Sequence, residues 1–266
     1  MKIVCIIFCL SVFNLLAMAQ VLDSADVPVP RADKKSQIAH EQLLEKAKKG
    51  KIDVYFEGDS ITRRWGTSDE KYKSFLENWQ KNFFGWNAAD FGWGGDTTQN
   101  IIWRLKNGEL DNVNPKIIVL LAGTNNVGNK TPEGDINPKA ENIAKGIKAI
   151  LDICRQKAPK ATIILMGIFP RNDNMAVMPL INKINENIAK FADGKKIKFL
   201  NINNKMADKD GKLFPGITVS DGLHLDVGGY QVWADSLKPI FKKILGKPAK
   251  EDHAPPPTGE PIVPNN

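Results

Sequence analysis

Short apolar runs alternate with longer amphipathic segments along most of this chain. Five runs rich in β-branched and other apolar residues predict strands, at residues 52–56, 88–91, 117–121, 162–166 and 197–202. Six further segments have apolar residues at helical spacing and predict helices, at residues 37–49, 69–84, 97–106, 138–157, 175–192 and 227–245. Because the strands are apolar and alternate with helices, the pattern predicts an α/β fold with one five-stranded parallel sheet covered on both faces.

The first residues of the chain do not follow this alternation. Residues 1–19 combine Lys2, an apolar run and the small-residue pattern Ala17-Met18-Ala19, which together predict a cleaved signal peptide. An uncleaved membrane anchor is the alternative, but Ser11 and Asn14 interrupt a run that is shorter than the roughly 20 apolar residues of a membrane span. We therefore expect an exported protein, periplasmic or secreted, without stable membrane insertion after cleavage.

The remaining chain divides into three parts. We expect residues 20–36 to form an N-terminal linker and residues 37–246 to form the single folded domain. After Gly246 the composition becomes polar and rich in proline, which predicts a disordered tail over residues 247–266.

Composition and charge exclude several classes of protein. The 266 residues are 42% hydrophobic and 25% charged, as in an ordinary globular domain. The net charge of +7 comes from lysines scattered along predicted helices, which is typical of a solvated surface, so no nucleic-acid partner is expected. Cys5 and Cys9 would leave with the signal peptide, and Cys154 is expected to be buried and inert. No disulfide and no metal site are predicted.

Four short motifs carry the candidate chemistry. In chain order they are Gly58-Asp59-Ser60, Gly92-Trp93-Gly94-Gly95-Asp96, Gly123-Thr124-Asn125-Asn126 and Asp221-Gly222-Leu223-His224. The first three follow predicted strands, where an open α/β sheet gathers its ligand-facing groups. A serine hydroxyl is a weak nucleophile without a neighbouring base, and Asp-Ser alone is also compatible with an ordinary turn or helix cap. The four motifs together predict a serine hydrolase with Ser60 as the nucleophile.

The histidines narrow the choice of base. His40 lies on the first predicted helix and His253 in the tail, which leaves His224 in the body of the domain. Asp221 precedes His224 by three residues, a spacing that lets the carboxylate hold one ring nitrogen while the other faces the serine. Asp-x-x-His also occurs in ordinary loops before helices. Combined with Ser60, it predicts the triad Ser60, His224 and Asp221.

Acyl transfer also requires donors aimed at the developing oxyanion. The candidates are the main-chain N–H groups of Ser60 and Gly95 and the side-chain amide of Asn125. A tight turn before a helix is the alternative for Gly94-Gly95, and a polar turn residue is the alternative for Asn125. The glycines do not form a dinucleotide-binding fingerprint, because G-x-G-x-x-G is absent.

Two indoles lie near these motifs and bear on the substrate. Trp65 follows Ser60 closely, and Trp93 precedes Gly95. Exposed indoles beside a cleft suit stacking on a sugar ring, so both are candidate substrate-binding residues, with burial in the core as the alternative. Arg63 and Arg64 could contact an acidic substrate, although a solvated surface is also compatible with them.

The four motifs in this order resemble the SGNH, or GDSL, hydrolases, over nearly the whole of residues 52–245. The run from Gly94 to Asn100, together with Trp103-Arg104-Leu105, Asn107-Gly108-Glu109-Leu110 and Gly167-Ile168-Phe169-Pro170-Arg171, is similar to the platelet-activating-factor acetylhydrolase catalytic subunits and their bacterial relatives. The resemblance implies a flavodoxin-like, three-layer α/β/α sandwich, the triad named above, no required cofactor and activity on small acyl esters. It includes dimeric enzymes, but one chain leaves the oligomeric state open.

The resemblance leaves the substrate open. An exported member more often resembles the carbohydrate O-acetylesterases, so the expected reaction is removal of short acyl groups, most readily acetyl, from an acylated carbohydrate. A lipid acetylhydrolase or lysophospholipase would use the same residues. A catalytically silent glycan-binding module and a flavodoxin-like cofactor protein are two further classes, and the intact site residues argue against both.

Overall fold

The computed structural model describes residues 24–264. The predicted signal peptide and the first residues of the predicted linker therefore lie outside the described residues. Five strands form one sheet: β1 (Val54–Gly58), β2 (Ala88–Asp90), β3 (Ile117–Leu121), β4 (Thr162–Met166) and β5 (Ile197–Leu200). Every pairing is parallel and the order is β2-β1-β3-β4-β5, which confirms the predicted α/β sandwich.

Helices cover both faces of the sheet. They are α1 (Lys34–Ala47), α2 (Ser60–Gly66), α3 (Lys73–Phe83), α4 (Thr98–Arg104), α5 (Thr124–Val127), α6 (Asn137–Lys157), α7 (Met178–Ala189), α8 (Asn203–Met206) and α9 (Val227–Leu245). The short helices α2, α5 and α8 are absent from the sequence prediction. Two predicted helices begin with a separate turn of 3₁₀ helix, Glu70–Tyr72 before α3 and Met175–Val177 before α7.

The strands divide the core into two layers because successive side chains point to opposite faces. On β1, Val54 and Phe56 pack in the layer under α2, α3 and α9, whereas Tyr55 packs in the layer under α4, α6 and α7. Burial on both faces explains why the strands read as continuous apolar runs. Cys154 lies in the second layer, fully buried and free.

The order of the strands fixes the place of the site. The chain moves from β1 outward to β2 and then returns to the other side of β1 to form β3. Segments that leave the carboxyl ends of β1 and β3 diverge at this point, and a crevice forms between them. The motifs that contain Ser60 and Asn125 follow these two strands.

Both terminal segments pack on the domain. In the part of the predicted linker that is described, Ala25 is buried and its N–H donates to Asn142 Oδ1 at 3.0 Å. Residues 247–264 form no helix or strand but lie against the body, with Pro255 and Pro261 buried. The prediction of a disordered tail is wrong for these residues because hydrogen bonds and ion pairs to the domain hold them. No helix within residues 24–264 combines the length and apolar composition that a membrane crossing requires.

Candidate active site

The tight turn between β1 and α2 presents Ser60. Asp59 caps α2, its carboxylate accepting the N–H of Ile61 at 2.9 Å, and Ser60 is the first residue of the helix. Gly58 is required before them, because a Cβ there would lie 2.2 Å from Thr62 Oγ1 and 2.6 Å from the carbonyl oxygen of Leu121. The turn places the Ser60 hydroxyl at the carboxyl edge of the sheet.

A line of hydrogen bonds joins the three residues of the predicted triad. Ser60 Oγ lies 2.9 Å from His224 Nε2, and His224 Nδ1 lies 2.7 Å from Asp221 Oδ2. The other carboxylate oxygen of Asp221 accepts the main-chain N–H groups of Leu223 and His224, both at 2.9 Å. The carboxylate therefore fixes both the turn and the imidazole ring, and leaves Nε2 directed at the serine.

The environment of the triad sets its protonation. Burial lowers the pKa of His224, and the charges of Arg64 and Arg171 lower it further. The hydrogen bond that His224 donates to Asp221 raises it, but the pKa remains below its ordinary value. Partial burial raises the pKa of Asp221, but the two N–H groups and His224 outweigh it, so this pKa is also lowered. At neutral pH the histidine is therefore a neutral base beside an ionised carboxylate.

The other two predicted oxyanion donors lie on segments that contact each other, Gly95 in the loop after β2 and Asn125 in the short helix α5. Asn125 Nδ2 donates to the carbonyl oxygen of Asp96 at 2.8 Å, and the backbone of Gly95 is left-handed, with φ of 80°. A primary amide has two N–H groups, so one can hold the loop while the other serves a substrate oxygen. The sequence prediction missed Asn126, which accepts the N–H of Thr98 at 2.9 Å and joins the same segments.

A buried charge network lies beneath this loop. Arg104 donates to Glu57 and Asp96, at 2.7 Å each, and to Glu109, and Glu109 also contacts His40 Nδ1 at 2.7 Å. Burial and the neighbouring carboxylates raise the pKa of Glu57 to about 8 despite Arg104. Four sequence segments are thereby joined behind Asp96. The motif Trp103-Arg104-Leu105 contained this arginine, but the sequence did not show which carboxylates surround it.

The loop after β4 supports the histidine turn. Buried Arg171 pairs with Asp173 and donates to the carbonyl oxygen of Thr124 at 3.4 Å. Asn172 N–H donates to the carbonyl oxygen of Gly222 at 2.7 Å, within the Asp221 to His224 turn. Arg171 and Asn172 together therefore link helix α5, which contains Asn125, to the turn of His224. Sequence reasoning assigned Arg171 no role.

The two predicted substrate-binding indoles are buried. Trp65 is 0% exposed, donates to Asn78 Oδ1 at 3.0 Å and stacks on Tyr230, so its prediction is wrong. The reason is that Ile61 and Trp65, one helical turn apart on α2, both face the core. Trp93 is 7% exposed and donates to Ser36 Oγ at 2.8 Å. The indole is therefore almost fully covered, and the guanidinium of Arg63 lies over its ring with Cζ 4.6 Å from the centroid.

Trp93, in the loop that contains Gly95, instead lines a cavity. The cavity has a volume of about 330 Å³ and is also lined by Arg31, His40 and Trp103.

Arg64, the other arginine after Ser60, lies nearer the triad, with Nη1 3.7 Å from Asp221 Oδ2. Across residues 24–264, the His, Cys, Asp and Glu side chains form no group of three or more suited to a metal ion.

The fold and this site together define the class of the protein, a serine ester hydrolase with an α/β/α sandwich. Residues 56–232 match the GDSL-like Lipase/Acylhydrolase family, and the chain belongs to that family. The resemblance read from the four motifs is therefore confirmed.

Known relatives agree with this assignment. Platelet-activating factor acetylhydrolase IB subunit alpha2 of Homo sapiens is 33% identical over 240 residues, covering 84% of this chain and 92% of its own. The alpha1 subunit of Bos taurus is 30% identical over 224 residues, covering 84% and 89%. The crystal structure of a GDSL-like lipase from Bacteroides thetaiotaomicron has a TM-score of 0.60 at 22% identity, covering 78% of this chain and 100% of that one. The last likeness is one of fold.

Proposed function

We propose that this protein hydrolyses short-chain acyl esters, most readily acetyl esters, through an acyl-enzyme on Ser60. The observation that carries the proposal is the line of contacts from Ser60 Oγ to His224 Nε2 at 2.9 Å and from His224 Nδ1 to Asp221 at 2.7 Å. Gly95 and Asn125 lie on the segments that follow β2 and β3, at the same edge of the sheet, where a substrate carbonyl would enter.

The chemistry follows from these positions. His224 takes the proton of Ser60 as the oxygen attacks the ester carbonyl, and Asp221 stabilises the imidazolium. The N–H groups of Ser60 and Gly95 and the amide of Asn125 stabilise the oxyanion. The alcohol leaves with a proton from His224. Water, deprotonated by the same histidine, then attacks the acyl-enzyme and releases the acid.

Two candidates remain for the alcohol half of the ester. The first is an acylated carbohydrate, which follows from the predicted export of the chain. Burial of Trp65 and Trp93 removes the stacking surface that would have supported it. The second is a phospholipid acetyl ester, and its support is the 33% identity to a subunit named platelet-activating factor acetylhydrolase. Acetyl is the acyl group in both candidates.

Release of acetate tests the reaction and the alcohol half together. We expect p-nitrophenyl acetate to be cleaved much faster than longer esters, and Ser60→Ala to lower kcat by at least about 10³-fold with the fold intact by circular dichroism. Acetylated xylan, pectin and sialoglycan are then compared with a platelet-activating-factor phospholipid. Acetate from one glycan alone favours the carbohydrate candidate, and acetate from the phospholipid alone favours the lipid candidate. Full esterase activity in Ser60→Ala would disprove the nucleophile.

Export is part of the proposal and has a separate test. Residues 1–19 should be absent from the protein recovered outside the cytoplasm of its producing cell. Mass spectrometry of that protein should give an N-terminus at Gln20. Recovery of the intact chain in the cytoplasm would contradict it. Oligomeric state, with a dimer as one option, can be measured on the same sample by light scattering.

A further inference from the structure

The first described residues cross the loop that contains Gly95. We call residues 24–33 the N-terminal strap. The strap is docked at its start by Thr98 Oγ1, which donates to the carbonyl oxygen of Ala25 at 2.7 Å, and by Lys145, which pairs with Asp26 at 3.0 Å. Main-chain atoms of Val29 bond Gln99 and Asn100 at 3.1 and 2.9 Å. The strap therefore follows the start of α4 toward Gly95.

Arg31 lies at the point where the strap reaches this loop. Its Nη1 donates to the carbonyl oxygen of Gly94 at 3.1 Å and lies 3.4 Å from Asp96 Oδ1. The guanidinium is held from the other side by Asp33, whose Oδ2 lies 3.1 Å from Nε. A Cβ placed on Gly95 would be 3.0 Å from Nη1, so the guanidinium lies directly against that residue.

The contact with Gly94 has a consequence for Gly95. The carbonyl of Gly94 and the N–H of Gly95 belong to one planar peptide group, in which they point in opposite directions. Two consecutive glycines impose little steric restraint on rotation of that group. A hydrogen bond that holds the Gly94 carbonyl therefore also fixes the direction of the Gly95 N–H, the predicted oxyanion donor.

We infer that Arg31 is a positioning residue of the oxyanion site, acting through the Gly94–Gly95 peptide. The inference rests on the proposed function, since it gives the N–H of Gly95 a part in the reaction. The positive charge of Arg31 beside Gly95 also favours negative charge developing there. The N-terminal strap, which precedes the family match at residues 56–232, thus completes the site.

The test compares Arg31→Gln, Arg31→Lys and Lys145→Gln in the full chain. Lys145→Gln is the matched control, because it also removes one positive charge and breaks one contact at the start of the strap without touching Arg31. We measure kcat and KM for p-nitrophenyl acetate, inhibition by a short alkylboronic acid, and the thermal midpoint. A boronic acid bound to the serine imitates the tetrahedral intermediate, so its affinity reports the oxyanion site.

Arg31→Gln should lower kcat by about tenfold to a hundredfold with little change in KM, which is less than the loss of a whole donor. Boronate affinity should fall by a similar factor. Arg31→Lys should recover part of both, and Lys145→Gln should match the parent. If Arg31 served only to dock the strap, Arg31→Gln and Lys145→Gln would both lower the thermal midpoint and would leave kcat and boronate affinity unchanged.

Three results would contradict these assignments: two overturn the role of Arg31, and one overturns the proposed function. If Arg31→Gln keeps kcat and boronate affinity within about twofold of the parent while Ser60→Ala is inactive, the role of Arg31 is wrong and the proposed function stands. A loss of the same size in Lys145→Gln would also overturn it. If Ser60→Ala is as active as the parent, the proposed function itself fails.

Discussion

His224 must be neutral before it can accept the proton of Ser60. Because burial and two arginines lower its pKa against the effect of Asp221, we expect activity to persist into mildly acidic solution. The acid limb of kcat/KM should have its midpoint below the ordinary pKa of histidine. Hydrolysis of a soluble acetyl ester between about pH 4 and about pH 8 measures it.

Substitutions of Arg64 and Asp221 should move the acid limb in opposite directions. Arg64→Gln removes a charge that lowers the pKa of His224, so the acid limb should move to higher pH. Asp221→Asn removes the group that raises it, so the limb should move to lower pH while kcat falls. Lys35→Gln, on the first turns of α1, should leave the profile unchanged. A limb that is unmoved in Arg64→Gln would show that this arginine does not act on the base.

Single residues also show where prediction from sequence reached its limit. Ser60 and His224 could be paired from sequence. Ser60 follows the first predicted strand, and His224 is the histidine in the body of the predicted domain, just before the last predicted helix. Trp65 could not be placed, because its neighbours Asn78 and Tyr230 lie on α3 and α9. Short-range spacing fixes the chemical type of a site residue, whereas exposure depends on helices distant in the chain.

At the scale of elements, the C-terminal segment should add stability without serving catalysis. Removal of residues 247–266 would break the bonds of Asp252 to Gly85 N–H at 2.5 Å and of His253 N–H to Asn87 Oδ1 at 2.7 Å. The ion pair of Glu260 with Arg63 at 2.7 Å would also be lost. At about 1 kcal/mol for each hydrogen bond, we expect a loss of about 2–4 kcal/mol and a thermal midpoint lower by about 5–15 °C.

The shorter truncation after Pro261 is the control for this prediction. It removes Ile262, which is 86% exposed, and keeps the contacts named above, so the midpoint should not change. The truncation after Gly246 should retain kcat, because none of the lost contacts named above is made by Ser60, Asp221 or His224. An unchanged midpoint after the longer truncation would mean that the segment does not hold the domain together.

Elements with a clear hydrophobic period were predictable, and elements fixed by specific polar contacts were not. The prediction placed β3 and β4 at their observed bounds, since both are continuous apolar runs. Residues 24–33 and 247–264 have no such period. Hydrogen bonds to side chains such as Asn142 and Asp69 hold them, and composition contains no information about these partners.

For the whole molecule, substitution of Arg104 should have the widest effect, because it should lower both stability and activity. Its guanidinium joins β1, the Gly95 loop and the turn after α4 through Glu57, Asp96 and Glu109. Arg104→Leu would remove the guanidinium that pairs with buried Asp96 and Glu109 and donates to Glu57, at an expected cost of about 3–5 kcal/mol. Urea unfolding measures this cost, and kcat should fall as well because Asp96, which Arg104 holds, directly follows Gly95 in the chain.

Glu57→Gln is the contrasting variant. The pKa of Glu57 is raised to about 8, so at neutral pH its carboxyl group retains a proton, and an amide of the same shape should cost much less than Arg104→Leu. Equal losses in the two variants would show that packing, and not charge, accounts for the contribution of this cluster.

The exposed loop between α5 and α6 separates the chain into two sets of reacting groups. Ser60, Gly95 and Asn125 precede it, on the segments that follow β1, β2 and β3, whereas Asp221 and His224 follow it, beyond β4 and β5. Neither portion contains both a nucleophile and a base. Activity therefore requires that β3 pairs with β4. Two fragments divided near Gly134 would each be inactive alone and active only when they reassemble.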